Sequence, residues 1–198
     1  MIGFGDPVAE RRLASAGIPR TDVEVRIVDD DDHEVAAGKI GEIAARGSVV
    51  MVGYWNRPDE TAESLRGGWL HTGDIGMMDE QGYLYLLDRK KDMIISGGNN
   101  IYPREIEEVL LKHPAIYEVA VIGVPDPIWG ESVKAIIALR TDMMITEEEV
   151  YAFCRQHVAS YKKPRTVEFV PELPKNAYGK ILKRELREQY WQGRERRI

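Results

Sequence analysis

Cysteine is almost missing from this chain. The single thiol, Cys154, has no partner for an internal disulfide, so nothing calls for an oxidising compartment, and a cytoplasmic location is expected. It keeps helical spacing with Val150, Phe153 and Val158 and reads as a small core residue, not a nucleophile. Long apolar runs are absent too. No stretch approaches the roughly 20 residues of a membrane-spanning helix, and residues 1–20 lack the apolar centre of a secretory signal, so no transmembrane segment is expected. Positive charge is not in excess. A net charge of −6 removes the basis of generic nucleic-acid binding, which is phosphate neutralisation by Lys and Arg. His33, His71, His113 and His157 fall at no metal-ligand spacing, and with one cysteine no zinc site is expected. Asp30–Asp32 lacks the Gly and terminal Glu of a calcium loop, and Gly3-Phe4-Gly5 has no strand before it, so it is no dinucleotide fingerprint.

What is present is a globular composition, 43% apolar and 30% charged, long enough for one large domain or two small ones. Residues 22–28 alternate apolar and polar as a half-buried strand does. Strand-like runs follow at Lys39–Arg46, Ser48–Tyr54, Trp69–Met78 and Tyr83–Leu87, with a short helical pattern near Glu60–Leu65. The charged run Asp88-Arg89-Lys90-Lys91-Asp92 suits an exposed connector. Beyond it, helices and strands alternate. Pro103 opens a helix with Ile106, Val109 and Leu110 on its buried face, and Thr146 with Glu149 forms a capping box. Glu118–Val124, Val133–Leu139 and Thr166–Val170 read as strands, and Ile181–Tyr190 as a last helix. The expected fold is α+β: a β-rich, barrel-like subdomain over residues 1–90, then a small α+β domain over residues 91–198 with a short sheet flanked by helices.

Four stretches carry more Gly, Pro and charge than folding alone requires. Thr72-Gly73-Asp74 lies in a strand pattern, where an interior Gly marks close approach of backbone or ligand, or simply a turn. Ser96-Gly97-Gly98-Asn99-Asn100 links a short strand to a helix and lets a ligand pass near the main chain, or is a plain turn. Ser160-Tyr161-Lys162-Lys163-Pro164-Arg165 places three cations and an aromatic ring on one loop, fit for phosphates and a stacked base or equally for solvent. Leu173-Pro174-Lys175-Asn176-Ala177-Tyr178-Gly179-Lys180 sets a lysine directly after a glycine. From Lys180 onward the chain holds seven basic and three acidic residues, either a solvated helix face or an attraction for phosphates.

Taken in order, Gly53-Tyr54-Trp55, Trp69-Leu70-His71-Thr72-Gly73-Asp74, Asp88-Arg89-Lys90-Lys91-Asp92-Met93-Ile94, Ser96-Gly97-Gly98 with Asn100-Ile101-Tyr102-Pro103, and Pro174-Lys175-Asn176 with Gly179-Lys180 resemble the acyl-adenylate-forming superfamily. Within it they look like the fatty-acyl and benzoyl-type CoA ligases. The resemblance runs from about Ala14 to Trp191.

It implies a two-step reaction. A carboxylate attacks the α-phosphate of ATP to give acyl-AMP and pyrophosphate, and the CoA thiol then displaces AMP. By the same resemblance Asp74 binds the ribose hydroxyls, with Arg89 as a second ribose or phosphate contact, and Lys180 stabilises charge as the adenylate forms. Lys91 matches the hinge about which the smaller domain turns between the two steps. Gly97 and Gly98 would line the pantetheine tunnel, and Trp129 would pack near the CoA adenine unless it is only a structural aromatic. Tyr161, Lys163 and Arg165 would meet nucleotide phosphates. Mg2+ would be held mainly by substrate phosphates and by parts of the family absent here. Two positions depart from the pattern: Asn99 replaces a common Glu, and Tyr178 replaces a small Ser. The family's Ser/Thr/Gly-rich phosphate loop and its Tyr-Gly-x-Thr-Glu motif have no counterpart in the 198 residues. The chain is therefore expected to lack a complete active site and to be inactive alone. Rival expectations are an adenylation enzyme that loads a carrier protein, and a non-catalytic module pairing with itself through residues 1–88.

Overall fold

The computed structural model describes residues 12–193. Gly3-Phe4-Gly5 and the last five residues of the basic tail lie outside that range. The chain divides into two compact units, Met1–Lys90 and Lys91–Ile198, and passes from one to the next within a single 3-10 turn, Lys90–Asp92.

The first unit is an antiparallel meander of β1 (Val23–Val28), β2 (Ile40–Gly47), β3 (Leu70–Met78) and β4 (Leu84–Arg89), in that spatial order, with a short helix α1 (Pro58–Ser64) before β3. The sheet is open and not closed into a barrel. Its edges are lined instead by local chain: Val35 N–H donates to the Ile27 carbonyl beside β1, and Ala16 N–H to the Leu84 carbonyl beside β4. Such lining blunts an edge that would otherwise invite pairing. The strand expected at Ser48–Tyr54 is a run of turns. Its apolar residues Val49 and Val52 are exposed, and they belong to neither sheet of the described residues.

β3 carries the feature that matters most. Glu42 pairs with Ile75 and Ala44 with His71, so β2 spends one residue, Ile43, where β3 spends three, Thr72 to Asp74. The interior glycine thus marks a bulge of three residues opposite one. Gly73 adopts φ +70°, although open space surrounds a Cβ built there, so conformation and not crowding selects glycine.

The second unit is a five-stranded sheet: β5 (Ile94–Ser96), β6 (Asn99–Ile101), β7 (Ile116–Asp126), β8 (Gly130–Leu139) and β9 (Thr166–Val170), in the order β6-β5-β8-β7 with β9 parallel to β8. Both faces are covered. Val119 and Val121 of β7 face a core with Ile106 and Leu110 of α2 (Pro103–Leu110) and Val150 and Cys154 of α3 (Glu147–His157). Ala120 and Ile122 face Leu173, in the loop after β9, and Leu186 of α4 (Lys183–Trp191). Coverage on both sides explains why β7 and β8 read as nearly continuous apolar runs. The Thr146 capping box forms as expected, with Glu149 N–H donating to Thr146 Oγ1 and Thr146 N–H to the Glu149 carboxylate. The last helix starts two residues later than its pattern suggests, because Leu182 N–H bonds the Pro174 carbonyl and closes a loop first. The fold class is α+β as expected, and no described helix is long and apolar enough to cross a membrane.

Cys154 is fully buried, and burial pushes its thiol up to about 11. Against an ordinary cysteine its thiolate is scarcer at neutral pH, and the thiolate is the reactive form. Iodoacetamide at pH 7.5 is expected to leave Cys154 unmodified in the folded chain and to alkylate it in urea, as read by intact mass. Because the folded thiol holds its proton longer than the unfolded one, this group's contribution to stability is lost as pH rises from about 9 toward about 11.

Candidate functional site

In the first unit the bulge on β3 presents Asp74 beside its register partner Arg89 on β4, and the two pair with Arg89 Nε 2.7 Å from Asp74 Oδ1. Both side chains are part-exposed, at 31% and 49%, so a ligand can reach them. The bulge is held from below. Thr72 Oγ1 donates to the Ile43 carbonyl and accepts from Asp74 N–H. Gly73 N–H donates to Glu42 Oε1 at 3.1 Å. Glu42 is 6% exposed, and its other oxygen accepts from Lys90 Nζ at 3.1 Å. Burial alone lowers the Lys90 ammonium, but bonds from Asp30 and Glu42 outweigh it and leave the group above its ordinary value. Arg66 grips Asp32 with two parallel bonds, of 2.8 and 2.9 Å, and holds that carboxyl below its usual range. The connector is therefore less exposed than its composition suggests, since its charges are spent on partners.

In the second unit Gly97 and Gly98 form the two-residue turn of a hairpin, Ser96 pairing with Asn99, and both have φ > 0 as a type I′ turn requires. The expected loop is thus a turn followed by a strand, β6. Gly97 lies directly against Trp129. Its N–H donates to the Trp129 carbonyl at 2.9 Å, and a Cβ at Gly97 would come within 2.4 Å of the indole. Trp129, 42% exposed, is fixed further by Asp126, whose carboxylate accepts from Trp129 N–H and Ile128 N–H; those bonds hold the Asp126 carboxyl below its ordinary value. The Arg165 guanidinium lies 5.0 Å from the indole centroid. Gly97, Trp129 and Arg165 therefore converge. Tyr161 is exposed, and Lys163 lies 5.8 Å from the Tyr151 ring, so these two stand outside that cluster of ring and guanidinium. Lys162, the third cation of the loop, is committed to Glu105.

Lys180 sits on a closed loop. Asn176 Oδ1 accepts from both Tyr178 N–H and Lys180 N–H at 3.0 Å, while Asn176 N–H donates to the Lys180 carbonyl at 2.9 Å. Gly179, at φ +79°, makes the turn. The neighbouring lysines are neutralised, Lys175 by Glu118 and Lys183 by Glu107 at 2.7 Å. Lys180 is exposed and ion-paired to no described residue. Tyr178, the departure from the small residue expected, points into solvent at 94% exposure and does not distort the loop's bonds. Sequence reasoning passed over Glu42, Asp126 and Arg187, and gave Asn176 no role of its own within its motif. Asn176 had a signal, since Asn favours side-chain bonds to backbone N–H groups just downstream. Glu42 had none: it occupies an ordinary polar position in an alternating strand.

Among the described residues one group has metal-ligand spacing, Asp29, Asp31 and His33. It is exposed, and Asp29 Oδ1 already accepts two backbone N–H groups of that turn, so the chain offers no built magnesium site there.

Residues 2–55 match the family model for AMP-binding enzymes, and residues 105–180 that for the AMP-binding enzyme C-terminal domain. The long-chain-fatty-acid–CoA ligase of Escherichia coli O157:H7 is 53% identical over 175 residues, which is 88% of this chain and 31% of the relative. The 2-succinylbenzoate–CoA ligase of Bacillus mycoides is 49% identical over 176 residues, 89% of this chain and 36% of the relative. Among solved structures, o-succinylbenzoate CoA synthetase from Bacillus subtilis, in complex with its acyl-adenylate intermediate, superposes with a TM-score of 0.84 at 40% identity, covering 90% of this chain and 36% of that one. The chain thus spans about a third of the length of these relatives. Its two family matches, and the order in which the Thr72–Asp74, Gly97–Gly98 and Gly179–Lys180 segments occur, make it a member of the acyl-adenylate-forming superfamily that carries the AMP-binding enzyme C-terminal domain.

Proposed function

We propose that the chain supplies the ribose-binding strand pair and the lysine-bearing domain of an AMP-forming acid–thiol ligase. Its substrates are a carboxylic acid, most simply a fatty acid, together with ATP as its magnesium complex and CoA. In the first step a carboxylate oxygen attacks the α-phosphorus, the bond to the bridging oxygen breaks, and pyrophosphate leaves. In the second the CoA sulfur, having lost its proton, attacks the acyl carbon and AMP leaves. Asp74 and Arg89 hold the nucleotide's ribose side, Lys180 meets the negative charge that builds on the α-phosphate, and Gly97, Trp129 and Arg165 receive CoA, with Tyr161 and Lys163 near its phosphates.

The observation that carries this reading is the state of Lys180. In a segment with three lysines, two are neutralised by buried-side glutamates, and the third is presented on a rigid loop with its charge uncommitted. A cation kept available at a fixed position is what electrostatic stabilisation of an anionic transition state needs.

The test is a transplant. Residues 12–193 are put in place of the matching third of the E. coli long-chain-fatty-acid–CoA ligase, and pyrophosphate release and acyl-CoA are measured with palmitate, ATP and CoA. Acyl-CoA formation well above that of the ligase lacking the third is the expected result. A folded chimera that binds ATP yet releases no pyrophosphate would overturn the reading. The chain by itself is expected to release none.

A further inference from the structure

Thr72, Gly73 and Asp74 stand opposite the single residue Ile43, so the ladder between β2 and β3 is interrupted just where Asp74 leaves the strand. A main-chain N–H left out of a ladder needs another acceptor. Gly73 N–H finds one in Glu42 Oε1. Glu42 is firmly placed to serve: it is on the second strand of the sheet, pairs with Val28 of β1 and Ile75 of β3, and is 6% exposed. Its other oxygen faces nitrogens only, Lys90 Nζ at 3.1 Å, Arg66 Nη2 at 3.5 Å and His71 Nδ1 at 3.7 Å. The carboxylate cannot turn without losing either the bulge amide or the cations. Thr72 Oγ1 supplies the second hold, on Asp74 N–H.

We propose that Glu42 is a positioning residue for the nucleotide, fixing the bulge so that the Asp74 carboxylate meets the adjacent 2′ and 3′ hydroxyls of a ribose. This rests on Asp74 meeting the ribose, as proposed above. One carboxylate that must serve two neighbouring hydroxyls needs a fixed orientation, which the support behind it provides. Arg89 Nε orients the tip of Asp74 by its bond to Oδ1, and the bulge orients the base. Glu42 governs the base. The surroundings of residue 42 also demand a carboxylate. A glutamine there would have to aim its NH2 group either at Gly73 N–H or at Lys90 and Arg66, and all of these are donors. Glu42→Gln therefore releases one hold on the bulge at nearly constant volume.

The test compares two nucleotides in the palmitate-activating chimera: ATP, and 2′,3′-dideoxyATP, which keeps base and triphosphate but offers no ribose hydroxyls. Glu42→Gln is expected to lower kcat/KM for ATP about tenfold, mainly through KM, and to leave that for dideoxyATP within about twofold. Asp74→Ala should erase the preference for ATP. Glu24→Gln, which breaks an exposed pair with Arg46 on the same sheet, should leave both nucleotides unaffected. In the 198-residue chain, Glu42→Gln is expected to raise amide exchange about tenfold at residues 72–74 and to leave β7 and β8 unchanged. A glutamate that only stabilised the sheet would lower the two nucleotides alike. That outcome overturns the proposal and leaves the ribose reading standing. So does unchanged exchange at 72–74, or an equal effect of Glu24→Gln. A preference for ATP that survives Asp74→Ala overturns both.

Discussion

Lys180→Ala in the palmitate-activating chimera is expected to slow acyl-adenylate formation about a thousandfold, while thioester formation from supplied palmitoyl-AMP and CoA stays near its original rate. A cation about 4 Å from a developing oxyanion contributes on the order of 4 kcal/mol at an effective dielectric of 20. If that attraction arises mainly in the transition state, it converts to roughly three powers of ten in rate. Alanine keeps the loop, because Asn176 holds the backbone N–H and carbonyl of residue 180 and not its side chain. Lys175→Ala is the control, since that ammonium is already spent on Glu118. Quenched-flow detection of palmitoyl-AMP separates the two steps. A loss below tenfold for Lys180→Ala, or an equal loss for Lys175→Ala, would remove Lys180 from the chemistry.

Gly97→Ala is expected to do the reverse: a fall of about a hundredfold in thioester formation with adenylate formation within about twofold of normal. Two costs combine at this position. Residue 97 has φ +57°, a conformation that costs an L side chain about 1–2 kcal/mol. The added methyl would also lie 2.4 Å from Trp129 Cε3 and 2.8 Å from Cζ3. The bonds to Gly97 N–H and Asp126 hold the Trp129 main chain in place, so the ring must yield by turning about its own side-chain torsions and shifts against Arg165. Gly98→Ala is the informative comparison. It imposes similar backbone strain at φ +80°, but no atom lies within 4 Å of the new methyl. If the two alanine variants behave alike, strain is responsible and the packing argument fails.

Most elements were legible because their causes are local. Alternation marks β1 and β2, Pro103 and the Thr146–Glu149 pair mark helix starts, and the unbroken apolar stretches of β7 and β8 reflect a sheet covered on both faces. The misreadings have equally physical origins. Val49 and Val52 suggested a strand, but a strand exists only where a neighbour accepts its hydrogen bonds. The two-residue Gly97-Gly98 turn is a hairpin signal, but its second strand, Asn99–Ile101, begins with two poor strand formers and so reads as loop. The charged segment 88–92 reads as solvated when taken alone. Its partners Glu42 and Arg187 lie 48 residues before Lys90 and 95 residues after Asp92, and no spacing rule reaches so far. Individual glycines and lysines were ambiguous one by one, and only their order along the chain resembled a family.

The three-for-one offset opposite Ile43 also limits how this strand can change length. Side chains on a strand alternate between faces, so Ile75 keeps its buried place beyond the bulge only because the extra residues are absorbed locally. The same sheet takes up a single extra residue elsewhere, Leu87 of β4, between the pairs Ile75–Asp88 and Gly76–Leu86, so its strands change length only where a bulge absorbs the difference.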